Sequence, residues 1–236
     1  MMMDNLLEIR DIHTFIGPFH ILQGVSVAVP KGSVTTLLGR NGAGKTTTLK
    51  SILGITPPRQ GTVVFDGEEI QGRHTYEIAS LGIGFVPDYR AIFRDLSVEE
   101  NLRIAERQKG DLARKQDFIF NLFPDLHRLI KLRGSQLSGG QQQMLAIARA
   151  LVAENKLLLI DEPSEGLAPV IVEQMMRAIE QLSQETTVIL VEQNFSVASH
   201  LAKYFCIIEE GRSVQSGLMA DLIKDKTMIQ RYLGAA

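Results

Sequence analysis

The chain has 236 residues and a single cysteine, Cys206, so no disulfide can form within it. Cysteine poverty fits a reducing compartment. Cys206 lies in the apolar run Tyr204–Ile208, where the expected role is that of a small buried strand residue. No apolar run approaches the ~18 residues of a membrane-crossing helix, so any membrane link is expected to run through a partner protein. The opening Met1-Met2-Met3-Asp4-Asn5 carries no basic segment, and no secretory signal is expected. Excess charge is also missing, because 25 Lys and Arg meet 27 Asp and Glu, scattered along the chain. Without a basic stripe, neither nucleic acid nor an anionic membrane surface is an expected partner. Repeats, low-complexity tracts and linkers are absent as well.

What is present suits one α/β domain over residues 1–236, since 44% hydrophobic residues at this length can bury a core without disulfides or metals. Leu6–Ile12 and Ile21–Val29 alternate apolar and polar residues as half-buried strands do. Val34–Leu38 is a continuous apolar run, the mark of a strand covered on both faces, and Lys45–Leu53 follows as a helix. Gly61–Phe65 reads as a strand ended by the Asp66-Gly67 turn. A helical stretch is expected from about Val98 to Ala153, opened by a Ser97/Glu100 capping box and interrupted near Pro124 and Gly134. Two buried strands, Leu157–Ile160 and Val188–Val191, flank a helix that Pro169 can open at its first turn. The tail reads as a Glu210-Gly211 hairpin turn and two short helices. The expected plan is an α/β core with a helical lobe inserted over approximately residues 88–155.

Chemistry concentrates first at Gly39-Arg40-Asn41-Gly42-Ala43-Gly44-Lys45-Thr46, which fits G-x-x-x-x-G-K-S/T between a buried strand and a helix. Glycines let the backbone curl so that successive N–H groups point inward, and the helix N-terminus adds partial positive charge. Lys45 is expected to reach the β- and γ-phosphates, Thr46 to hold Mg²⁺, and Thr47 to serve the α-phosphate. A chance match in a chain of this length has odds of roughly one in a hundred, and the strand–loop–helix context lowers them further. Leu157–Ile160 then runs into two carboxylates, Asp161 and Glu162. Ligands of parallel sheets sit beyond the carboxyl ends of the strands, which sets this pair beside the phosphate loop. Asp161 is expected to hold Mg²⁺ and Glu162 to polarise the water that attacks the γ-phosphate.

A second candidate anion site is Leu137-Ser138-Gly139-Gly140-Gln141, ahead of a helix. That pentapeptide arises by chance in roughly one chain in several thousand. With it the chain resembles the ABC ATPase family, whose signature reads LSGGQ, over essentially its whole length. The resemblance implies a P-loop α/β core with an N-terminal antiparallel β layer and an inserted helical lobe, using ATP and Mg²⁺. It also implies a head-to-tail dimer in which Ser138, Gly139, Gly140 and Gln141 cap the γ-phosphate held by the opposite subunit.

Four positions depart from the family pattern. The adenine-stacking aromatic before a glycine is replaced by Ile16 before Gly17, with Phe15 adjacent; Phe15 serves adenine or packs its strand. The glutamine ending the strand before the lobe is replaced by Asp88, which meets Mg²⁺ through water or is a solvated turn carboxylate. The interface aspartate after the acid pair is replaced by Ala168. The switch histidine is replaced by Gln193, a phosphate sensor or the lead-in to a helix at Asn194, and none of His13, His20, His74, His127 and His200 falls there.

Val86-Pro87-Asp88, Glu162-Pro163-Ser164-Glu165-Gly166-Leu167-Ala168-Pro169 and Val191-Glu192-Gln193-Asn194 are together similar to the shorter ATPase of branched-chain (hydrophobic) amino-acid importers, and to those of urea and amide importers. This implies a second ABC ATPase subunit, two transmembrane permease subunits and, indirectly, a solute-binding protein. It also implies a place on the cytoplasmic face of the plasma membrane, through the permeases. ABC ATPases acting on ribosomes or DNA carry two cassettes, zinc-binding cysteines or basic arms, none of which is present. A nucleotide-binding regulator without turnover fits poorly with intact Lys45, Asp161 and Glu162.

Overall fold

A computed structural model describes residues 4–234. Two sheets share the interior. The first, antiparallel, joins β1 (Asn5–Ile16), β2 (Phe19–Pro30), β4 (Gln60–Phe65) and β5 (Glu68–Glu69) in the order β2-β1-β4-β5. β1 and β2 run longer than their alternation suggests. Asp11 sits at φ 49° and the β1–β2 register shifts between Ile9 and Ile12, so a bulge breaks the alternation while pairing continues.

The second sheet holds β3 (Val34–Leu38), β6 (Ile83–Val86), β7 (Leu157–Asp161), β8 (Thr187–Val191), β9 (Tyr204–Glu209) and β10 (Arg212–Leu218), in the order β10-β9-β3-β8-β7-β6. All neighbours are parallel except the β9–β10 hairpin, which turns at Glu210-Gly211. Alternate residues of its central strands feed two separate cores. Leu158 and Ile160 of β7, with Val188 and Leu190 of β8, pack toward the helices; Leu157, Leu159, Ile189 and Val191 pack toward the antiparallel sheet. This two-faced burial is why these strands read as unbroken apolar runs. Cys206 of β9 is 1% exposed, and burial pushes its thiol up to about 12, which makes it an inert packing residue.

α1 (Lys45–Ile52) follows β3, and α2 (Thr75–Ser80) precedes β6. Between β6 and β7 lie α3 (Val98–Arg103), α4 (Asp111–Leu122), α5 (Pro124–Arg128) and α6 (Gly139–Val152), the inserted helical lobe. Ser97 caps α3 as expected, its hydroxyl accepting from the Glu100 N–H. The expected helical stretch breaks once more than foreseen, after α3. There Gly110 adopts φ 91° and the Asp111 carboxylate accepts from the N–H groups of Arg107 and Gln108, closing a turn that continued helix would forbid. α7 (Pro169–Ser183) joins β7 to β8 and opens on Pro169; α8 (Phe195–Leu201) joins β8 to β9. The chain ends on α9 (Met219–Leu222) and α10 (Lys226–Leu233).

Candidate active site

Sheet order brings the singled-out residues together. β8 lies between β3 and β7, so the loops leaving the carboxyl ends of these three strands are neighbours. They carry the phosphate loop, Gln193 and the acid pair. Asp161 is paired in register with Val191, which sets Glu162 beside Glu192 and Gln193.

The phosphate loop, residues 39–44, curls between β3 and α1. Gly39 has φ 144°, and a Cβ there would sit 2.1 Å from the Ile208 carbonyl oxygen, so only glycine lets the loop lie against β9. The Ala43 carbonyl accepts from the Gly211 N–H at 2.9 Å, which anchors the loop to the β9–β10 turn. Arg40 reaches the Arg231 carbonyl of α10 at 3.4 Å, while Asn41 is exposed. Thr47, on the first turn of α1, accepts from the Ser51 hydroxyl through its carbonyl.

Lys45 is 4% exposed. Its ammonium donates to the Gly39 and Arg40 carbonyls at 2.9 and 3.1 Å and lies 3.6 Å from Glu162 Oε1. The other Glu162 oxygen accepts from Gln193 Nε2 at 2.7 Å. Glu162 itself has φ 45°, an uncommon conformation for a side-chain-bearing residue, held by its N–H bonding the Val191 carbonyl at 2.9 Å. A cation, an acid and an amide thus converge over the phosphate loop.

Asp161 is fully buried at the end of β7. Its Oδ1 accepts from the Thr46 hydroxyl at 3.2 Å, and its Oδ2 is buried with no hydrogen-bond partner. An unpartnered carboxylate oxygen beside a hydroxyl fits a hard divalent cation such as Mg²⁺, for which Thr46 and Asp161 would be the direct holders. Asp88, exposed two residues beyond β6, caps its own turn by accepting from the Tyr89 N–H, and it lies close enough to raise the Asp161 pKa.

Burial, then the charges of Asp88 and Glu162, push the Asp161 carboxyl up to about 6 against the pull of Thr46 and Lys45. The folded chain therefore keeps this proton where the unfolded chain, at its ordinary 3.8, has lost it. The resulting destabilisation is absent below ~4, grows as pH rises and is complete above about 6. Cation binding needs the carboxylate, so Mg²⁺ affinity in the presence of nucleotide should fall about tenfold per unit below that point. Titration calorimetry at pH 5, 6 and 7.5 checks this, and flat affinity would contradict it. In metal-free buffer above that pH, Asp161→Asn should raise stability by ~1–2 kcal/mol while losing the cation.

The second anion loop is built as expected but stands elsewhere. Ser138 caps α6, its hydroxyl accepting from the Gln141 N–H while the Gln141 carboxamide accepts from the Ser138 N–H. Gly139 lies against the Arg90 guanidinium, and a Cβ on Gly140 would come 2.8 Å from Ile171 of α7. Among the described residues, no hydrogen bond of Ser138–Gln141 reaches the phosphate loop.

Of the two roles left open for Phe15, packing has its partners in the fold. His20 stacks on it at 4.1 Å and 7°, and the Arg59 guanidinium lies 4.5 Å from its centroid. Both groups are exposed side chains resting on a half-buried ring. His20 pairs in turn with His13 at 3.1 Å. Ala168, the residue before α7, is exposed. One residue escaped sequence reasoning. Glu192, 2% exposed, accepts from both the N–H and the hydroxyl of Ser164. Its signal was present, since it follows an apolar strand just as Asp161 ends one.

Residues 22–165 match the ABC transporter family. Over 97% of its length the chain is 41% identical to the high-affinity branched-chain amino acid transport ATP-binding protein BraG of Pseudomonas aeruginosa, all of which is covered. It is 33% identical to the lipopolysaccharide export system ATP-binding protein LptB of Escherichia coli, with 91% of each chain covered. Among solved structures, cbiO1 of Clostridium perfringens, part of the transporter complex cbiONQ, superposes with a TM-score of 0.83 at 25% identity, covering 97% of this chain and 94% of that one.

Proposed function

Since the chain belongs to the ABC transporter ATP-binding family, and so binds ATP with Mg²⁺ and couples its hydrolysis to transport, we propose that it energises a solute importer for branched-chain amino acids. The observation that carries this reading is the end-to-end similarity to BraG, at 41% against 33% for LptB. The uninterrupted Val191-Glu192-Gln193-Asn194 and Glu162–Pro169 stretches support the same subfamily.

At the chemical step, Gly39–Gly44 cradle the phosphates with backbone N–H groups and Lys45 carries the mobile cation to the β- and γ-phosphates. Mg²⁺, when bound, would supply positive charge against the charge that develops on the transferring phosphoryl group. Thr46 and Asp161 would hold it, with the Asp88 carboxylate nearby. Glu162 accepts the proton of the attacking water, and Gln193 orients Glu162 and donates to the γ-phosphate. Ser138–Gln141 close over the triphosphate of an opposite ATPase subunit, which accounts for a second anion loop that the chain's own cradle does not use. No described helix is long and apolar enough to cross a membrane. By its similarity to transporter ATP-binding proteins, the reading includes two permease subunits, a second ATPase and, indirectly, a solute-binding protein, with this chain on the cytoplasmic face.

Isolation of the tagged chain from membranes in mild detergent should bring down one other ATPase and two integral membrane subunits. Deleting its gene should abolish high-affinity leucine uptake and leave urea and amide uptake unchanged. Loss of urea or amide uptake with leucine uptake intact would move the cargo to those solutes, and recovery of ribosomes or DNA instead would overturn transport.

A further inference from the structure

Glu192 stands directly after β8 with no described cation paired to it, although it is 2% exposed. Burying a carboxylate without a counter-ion is costly unless hydrogen-bond donors surround it. Here donors come from two different loops. Oε1 accepts from the Ser164 N–H at 3.1 Å; Oε2 accepts from the Ser164 hydroxyl at 2.9 Å and the Asn194 N–H at 3.3 Å. Burial pushes the Glu192 carboxyl above its usual range, and these donors pull it back.

The two loops thus joined are those that carry Glu162 and Gln193, whose side chains meet at 2.7 Å. Ser164 lies two residues past Glu162, and the Glu162 backbone is held at φ 45°. A left-handed residue with a side chain persists only where its surroundings over-determine it. The bond from the Glu162 N–H to the Val191 carbonyl fixes it from one side. The clasp on Ser164 fixes the chain leaving it on the other.

We propose that Glu192 is a positioning residue for ATP hydrolysis, clamping Ser164 to Asn194, the residue next to Gln193, so that the Glu162 carboxylate is aimed at the attacking water. This rests on the reading of Glu162 as the base. Among the described residues no hydrogen bond or ion pair joins Glu192 to the phosphate loop or Lys45, so it sets the rate of the chemical step and leaves nucleotide affinity alone.

The test is steady-state ATP hydrolysis by the assembly isolated through a tag on this chain, with melting temperature measured alongside. Glu192→Gln keeps the shape but turns an NH₂ toward donors, and should lower kcat ~10–100-fold with KM for ATP within about twofold. Ser164→Ala should lower kcat ~3–10-fold, Ser164→Thr should stay near wild type, and the Ser164→Ala/Glu192→Gln pair should be no slower than Glu192→Gln alone. A merely structural role would lower the melting temperature and leave kcat unchanged, or make the two losses additive; either result overturns the proposal. Should Glu192→Gln not fold, Ser164→Ala decides, and an unchanged kcat there overturns it. Glu162→Gln is the reference. If it turns over normally, the reading of Glu162 fails and the clamp with it; if it is inert while Glu192→Gln runs at full speed, the clamp alone fails.

Discussion

Glu162→Gln should bind MgATP with wild-type affinity and hydrolyse it ~10²–10⁴-fold more slowly, because the substitution keeps the shape and removes the proton acceptor. The local geometry favours so clean a separation. Glutamine can still accept through its carbonyl oxygen from Gln193 Nε2, the 2.7 Å contact that Glu162 makes. Losing the negative charge 3.6 Å from Lys45 leaves that ammonium its bonds to the Gly39 and Arg40 carbonyls, so the cradle stays formed. ATP should then persist and hold two ATPase subunits together. Single-turnover hydrolysis in the assembled complex gives the rate, and size-exclusion chromatography in MgATP gives the association. Near-normal turnover would move the base elsewhere. Gln193→Ala should be milder, ~10–100-fold, because it loses one hydrogen bond to a charged group and no proton acceptor. Equal severity would make Gln193 as essential as the acid.

Lys45→Ala should weaken ATP binding at least ~100-fold, the loss expected when two charge-assisted hydrogen bonds to phosphate oxygens disappear. Lys45 is the cation whose stem is packed inside the cradle and whose head is free to exchange partners. Its bonds to the Gly39 and Arg40 carbonyls lie on the loop's inner side, and the ammonium can exchange them for phosphate oxygens without refolding the loop. Stability should change little by comparison. Ala is a better helix former than Lys at the start of α1, which offsets part of the loss of the bonds to the buried Gly39 carbonyl and the Arg40 carbonyl. Equilibrium binding of a fluorescent ATP analogue, with thermal melting of the same sample, separates the two effects. Unchanged affinity in Mg²⁺ would remove the phosphate-cradle reading of residues 39–46.

Legibility followed the range of the interaction. The phosphate loop, the acid pair and the cap of α6 could be read because their chemistry needs fixed residues at fixed short spacings. β7 and β8 could be read because burial on both faces removes polar residues from a whole strand. The full extent of β1 was hidden by the bulge at Asp11, which shifts the alternation while the pairing with β2 continues. The break between α3 and α4 was hidden in the apolar pattern, although Gly110 and the Asp111 side chain marked it.

By themselves the residues determined the fold class, the nucleotide chemistry and the order of the motifs, since each rests on local backbone geometry. Only the tertiary structure decided which side chains are free to act. Arg59, 44 positions from Phe15, lies 4.5 Å from the centroid of that ring, on which His20 also stacks. Ser164 and Glu192 come from loops 28 residues apart and meet because β7 and β8 are adjacent and parallel. Contacts of this kind depend on strand order, which no local spacing encodes, and they set the orientation on which the rate of hydrolysis rests.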